Sequence, residues 1–138
     1  MDNPGTHNPY TEFCRQPLPE LALEGLRLFN AGEYFEAHEV LEAAWKAEHT
    51  PGRELYRAVL QVAVAYLQIE RGNYNGAVKM FRRSRRWIDP LPAECQGIDI
   101  AALRQDARAA FAHLTALGPE RLAEFDRSLF KPVIYTSR

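Results

Sequence analysis

Cysteine is scarce in this chain: Cys14 and Cys95 stand far apart, with no Cys-x-x-Cys pair and no zinc-ribbon or disulfide-rich framework. A long hydrophobic run is also missing. The longest apolar stretch, Ala58 to Ile69, is interrupted by Gln61 and Gln68 and is too short to span a bilayer, so no membrane span is expected. Charge of one sign is not in excess: the net charge of −1 excludes a globally basic nucleic-acid binder and leaves only a local patch to consider. The first residues show no basic segment followed by an apolar one, which gives no signal for secretion. The expectation is therefore a soluble cytoplasmic protein with two free thiols. There is no Gly-rich phosphate loop and no nucleophile elbow, and Ser84 and Ser128 lack a nucleophile's context. No segment alternates with the period of a strand.

What remains is helical. With 138 residues, 46% of them hydrophobic, the chain can bury the core of one domain unaided. Residues 1–17 hold Pro4, Pro9 and Pro17 with few apolar anchors and read as an irregular arm. Helices are expected from Pro19 to about Asn30, Glu33 to Glu48, Arg53 to Arg71, and Asn73 or Tyr74 to Ile88. Asp99 suits the N-cap of a fifth helix ending near Leu117, and a short sixth runs through Leu129. The reading is an all-α compact bundle of about six helices over residues 18–130. The apolar tail, residues 131–138, is expected to dock back through Val133, Ile134 and Tyr135.

Gly32, Tyr34 and Ala37 recur 40 positions later as Gly72, Tyr74 and Ala77. The physical reading is two helical hairpins, each with a glycine turn and a small residue where helices approach closely. Such hairpins resemble tetratricopeptide-type units, which ordinarily need three or more copies. Apolar surface left by two incomplete copies would be covered in a homodimer.

Polar residues stand out against this background. His38 and Glu42 lie one turn apart on the second helix, with Glu39 beside them; the spacing resembles part of a zinc helix but brings only two ligands, since His7, His49 and His113 follow no family spacing. The expected arrangement is a half-buried His38 hydrogen-bonded to Glu42, which also pairs with Lys46; a divalent metal at His38 and Glu42 is the alternative. The third helix is apolar nearly all round, with a narrow stripe of Glu54, Arg57, Gln61 and Gln68. If that stripe faces His38 and Glu42, Arg57 and Gln61 complete a mixed pocket able to hold a carboxylate or phosphate. An Arg–Glu ion pair joining two helices is the favoured reading of Arg57, with anion binding as the alternative. On the fourth helix Lys79, Arg82, Arg83 and Arg86 share one side, with Arg85 at its border and Tyr74, Ala77, Phe81 and Ile88 opposite. Without interleaved base-stacking aromatics, nucleic acid is not the expected partner.

Three segments occur together: residues 29–45 (Phe-Asn-Ala-Gly-Glu-Tyr-Phe-Glu-Ala-His-Glu-Val-Leu-Glu-Ala-Ala-Trp), 60–65 (Leu-Gln-Val-Ala-Val-Ala) and 71–77 (Arg-Gly-Asn-Tyr-Asn-Gly-Ala). In that order they resemble the DUF309 family of small bacterial, archaeal and plastid proteins, over roughly residues 21 to 88. The resemblance implies a helical bundle and no activity. It carries over Tyr34, Glu36, His38, Glu39, Glu42, Trp45, Gln61, Gly72, Asn73, Gly76 and Ala77. The family commonly has Gln-Gly ahead of a Leu-Ile-Gln run, where this chain has Arg57-Ala58-Val59-Leu60-Gln61, so the resemblance gives Arg57 no role.

The leading functional expectation is a non-catalytic binding or scaffold module that recognises a protein or a small polar ligand around His38, Glu39, Glu42, Arg57 and Gln61. A metal-assisted or acid–base enzyme using His38, Glu39 and Glu42 is the alternative. Phosphate or RNA contact through the basic fourth helix is the third reading.

Overall fold

The computed structural model describes residues 11–136. A single helical turn, α1 (Thr11–Cys14), leads into the bundle of α2 (Glu20–Asn30), α3 (Tyr34–Ala47), α4 (Arg53–Glu70) and α5 (Tyr74–Ile88). A two-stranded hairpin, β1 (Glu94–Cys95) and β2 (Ile98–Asp99), precedes α6 (Ile100–Leu117). Consecutive helices from α2 to α5 pack side by side, and α6 rests on α5. The fold is all-α with one minor hairpin.

α4 is central because almost its whole circumference is carbon. Leu55, Tyr56, Ala58, Val59, Val62, Ala63, Ala65, Tyr66 and Ile69 are all buried between α3 and α5. Burial of a large apolar side chain stabilises by about 1.5–3 kcal/mol, so a helix of this composition cannot remain at the surface. Tyr66 sits at the middle of an aromatic cluster, with ring centroids 5.5 Å from Tyr34, 5.7 Å from Phe29, 6.0 Å from Phe81 and 4.8 Å from Phe130.

The repeated glycines end their helices in the same way. Gly32 (φ 80°) and Gly72 (φ 73°) are left-handed, a conformation glycine adopts without a Cβ penalty. Each turn closes with two backbone bonds: Glu33 N–H to Leu28 O and Gly32 N–H to Phe29 O, then Asn73 N–H to Gln68 O and Gly72 N–H to Ile69 O. These satisfy carbonyls that the helix end would otherwise leave unpaired. Ala37 and Ala77, fully buried, give the close approaches. What recurs between the hairpins is this turn, and their likeness to tetratricopeptide units stays a feature of the sequence.

The expectation of free thiols is overturned, since Cys14 and Cys95 form a disulfide across 81 positions. The two cysteines belong to no spacing motif; packing brings α1 against β1. Between the strands, Gln96 (φ 51°) and Gly97 (φ 83°) make the two-residue turn, both with the positive φ such turns favour. Gln96 is buried: its Oε1 accepts from the Tyr56 hydroxyl (2.8 Å), and its Nε2 donates to Phe13 O (3.2 Å). Part of the segment read as an irregular arm is thus helical and anchored, with Phe13 and Cys14 buried; residues 1–10 lie outside the described residues.

Asp99 caps α6, its Oδ1 accepting from Ala102 N–H at 2.9 Å. The expected short sixth helix through Leu129 takes the form of two 3-10 segments, Pro119–Glu124 and Arg127–Leu129. Their cause is local: Pro119 follows left-handed Gly118, and Arg121 (φ −110°, ψ 18°) departs from helical geometry. In the tail, Val133 is buried and exchanges two hydrogen bonds with the Asn30 side chain, at 2.8 and 2.9 Å. Thr136 N–H reaches Gly97 O, and Ile134 O accepts from Asp99 N–H, which lays the tail alongside β2.

Candidate functional site

His38, Glu42 and Lys46 occupy successive turns of α3, where positions four apart meet on one face. Glu42 bridges the other two: Oε2 lies 3.2 Å from His38 Nε2, and Oε1 lies 2.9 Å from Lys46 Nζ. The hydrogen bond and charge of Lys46 hold the Glu42 carboxyl below its usual range, and His38 pulls the same way. Glu39 is exposed and outside this row. As a metal site the row offers two donors, one of them already engaged by Lys46. Among the described residues no group of three or more His, Cys, Asp or Glu is arranged to hold an ion. His113 Nε2 accepts from Asp126 N–H (3.0 Å), away from α3, and His7 lies outside the described residues.

On α4, Arg57 is half-buried and pairs with Glu54 of its own helix, Nε to Oε2 at 2.8 Å. The two meet as charges without an aligned hydrogen bond, since Glu54 Oε2 accepts none among the described residues. The ion pair therefore lies within α4 and does not join α4 to Glu42 of α3. What joins the helices is stacking: the Arg57 guanidinium lies 4.6 Å from the ring centre of Trp45 on α3 and 4.2 Å from that of Trp87 on α5. Arg53 covers Trp45 as well, at 5.3 Å.

This sandwich stands between two hollows. One, of about 260 Å³, is lined by Glu42, Trp45, Arg57, Leu60 and Gln61. The other, of about 470 Å³, lies between α4 and α5 and is lined by Arg57, Gln61, Arg82, Arg83, Arg86 and Trp87. Gln61 borders both, and its Oε1 is buried with no hydrogen-bond partner among the described residues. The three arginines that α5 brings to this hollow, Arg82, Arg83 and Arg86, are exposed, and none forms an ion pair with a described residue. Of the sequence-derived set, Glu42, Arg57 and Gln61 come together; His38 joins through Glu42, and Glu39 does not. Trp87 is the residue that sequence reasoning passed over. Its signal was that it ends the basic run Arg82-Arg83-Ser84-Arg85-Arg86, on the helix that packs against Arg57.

Residues 22–80 match the family described as a domain of unknown function, DUF309. The DUF309 match takes in most of α2, all of α3 and α4, and the first part of α5. It therefore contains His38, Glu42, Trp45, Arg57 and Gln61 and stops before Arg82, Arg83, Arg86 and Trp87. An uncharacterized protein of Aquifex aeolicus (strain VF5) is 24% identical over 86 residues, covering 62% of this chain. The chain spans about a quarter of that relative's length (26%). Neither description states an activity, and nothing in them indicates catalysis.

Proposed function

We propose that this chain is a non-catalytic helical binding module that recognises an anionic group, carboxylate or phosphate, in the hollow between α4 and α5. The observation that carries this reading is the arrangement around Arg57. A guanidinium pinned between two tryptophans borders the hollow, and three arginines without ion-pair partners among the described residues line it. Guanidinium groups match planar oxyanions with paired donors, and charge-assisted bonds are roughly twice as strong as neutral ones. Arg57 is preorganised by its stacking, which lowers the ordering cost of binding. The neighbouring hollow beside Glu42 and the unpaired Gln61 Oε1 suit a donor group on the same ligand, so the His38–Glu42 row contributes polarity to the recognition surface. The ligand is a small polar molecule or the acidic side chains of a partner protein.

No helix among the described residues is long and apolar enough to cross a membrane. A cytoplasmic location is the sequence's reading, and the Cys14–Cys95 bond weighs against a strongly reducing compartment.

The test is calorimetry with a hexaglutamate peptide and with inorganic phosphate, on the wild type and an Arg82→Glu/Arg86→Glu variant. Both positions are exposed, so the fold is expected to survive, as circular dichroism would report. Saturable binding to at least one probe, lost in the variant, supports the reading. Equal heats from the two proteins would sink it.

A further inference from the structure

A second site lies on the opposite side of α5. Phe81, Ile88, Ala107 and Phe111 wall a partly enclosed cavity of about 110 Å³ between α5 and α6. Phe81 and Phe111 face one another at 5.7 Å. The Ser84 hydroxyl on this wall is fully buried and spends its proton on Phe81 O at 2.8 Å, so it places little polar demand on an occupant. The interior is apolar.

The lining at the rim is charged. Arg85, Arg104 and Arg108 line the cavity together with a single carboxylate, Asp89. Arg104 is held in place: its Nη2 donates to Leu91 O at 2.8 Å, just beyond α5, and to Ile88 O at 3.2 Å, the last carbonyl of α5, which Leu91 N–H also reaches. Its Nε is buried with no hydrogen-bond partner among the described residues, and Asp89 Oδ1 stands 3.8 Å from it, beyond hydrogen-bond reach. Arg108 Nη2 meets the same Asp89 oxygen at only 3.5 Å. Asp89 therefore satisfies neither arginine closely. It also caps the C-terminal end of α5, where the helix dipole disfavours an anion.

We infer that this cavity binds a small monocarboxylate, its apolar body between α5 and α6 and its carboxylate on Arg104 and Arg108. A dry cavity of about 150 Å³ admits benzene, so in one of about 110 Å³ the body that fits has about four carbons, as in a short branched acid. The excess of guanidinium over carboxylate selects an anion over a neutral or cationic isostere. Asp89 is a weak internal competitor for the same donors. The inference stands apart from the α4–α5 hollow, because it uses none of the residues lining it.

The test is a ¹⁵N-NMR titration with 3-methylbutanoate, against 3-methylbutanamide as the neutral isostere. The expected result is saturable shifts at Ser84, Ile88, Arg104 and Ala107, with the acid bound at least about fivefold more tightly than the amide, as a charge-assisted pair gives. Asp89→Asn should tighten the acid severalfold, and Arg108→Gln should weaken the acid and narrow its preference over the amide to what Arg104 alone supplies; the Arg108 and Asp89 side chains are 56% and 41% exposed, so both variants are expected to fold. Ala107→Leu fills the cavity and should abolish the shifts. Equal affinity for acid and amide, no shift at all, or no response to Asp89→Asn would each overturn the inference.

Discussion

The guanidinium carbon of Arg57 lies 4.2 Å from the centre of the Trp87 ring, which ties α4 to α5 beside a hollow lined with arginines. Trp45 covers it from α3 at 4.6 Å, so one cation of α4 touches both neighbouring helices. A flat, delocalised cation is required there. An ammonium at the same place keeps the charge and loses the stacking.

Arg57→Lys is therefore expected to lower stability by about 1 kcal/mol and Arg57→Ala by about 1–3 kcal/mol, since each desolvated cation–π contact contributes about 0.5–2 kcal/mol. Urea unfolding followed by tryptophan emission measures both. A lysine variant as stable as the wild type would show that charge alone matters at this position.

Tyr66 carries its hydroxyl into the aromatic cluster with no hydrogen-bond partner among the described residues. Leaving such a group unpaired costs about 1–3 kcal/mol. Tyr66→Phe removes it and keeps the ring, so stability should hold or rise by about 1 kcal/mol. A loss of stability, measured by the same unfolding curve, would mean that the hydroxyl has a partner in solution.

The disulfide closes a loop with a sequence separation of 81. In the chain-entropy picture a loop of that size contributes about 4–5 kcal/mol, and native disulfides commonly contribute about 2–5. Cys14→Ser/Cys95→Ser should lower Tm well below that of the oxidised protein, and a phosphine reductant should reproduce the shift. Two alkylatable thiols in the native protein would show the bond absent.

Alkaline pH should unfold the chain. Burial, with Glu70 adding to it, pushes the Tyr34 hydroxyl up to about 12 from its ordinary 10.0. Burial raises Tyr56 and Tyr66 in the same direction. A raised folded-state value means that the stabilising contribution is fully present below the unfolded value and disappears as pH climbs through the folded one. Stability should thus decline between pH 10 and about 12. Absorbance at about 295 nm and far-ultraviolet dichroism should then change together. Tyrosine ionisation complete near its ordinary value in a still-helical protein would contradict this.

How much was legible in the sequence follows from the range of each interaction. α4 could be read because burial on all sides leaves a pattern in its own residues, and the Asp99 cap because its partner Ala102 is three positions away. The Gly32 and Gly72 turns were legible for the same local reason. Cys14–Cys95 was not, since 81 positions separate the two and only the packing of α1 on the hairpin brings them together. Strands of two residues are too short to show alternation. At the site, charge matching suggested a glutamate of another helix for Arg57. The structure supplies Glu54 and two tryptophan faces instead, and shape complementarity of that kind has no signature in charge.

Trp45 and Trp87 are the chain's two tryptophans, and both flank Arg57, so their emission reports directly on the α4–α5 hollow. The decisive measurement is a fluorescence titration of the oxidised wild-type protein with hexaglutamate and with phosphate at low and high salt. Anion recognition predicts a saturable change in emission with at least one probe, weakened by added sodium chloride and absent in Arg82→Glu/Arg86→Glu. An emission spectrum unmoved by either anion at low salt would contradict it.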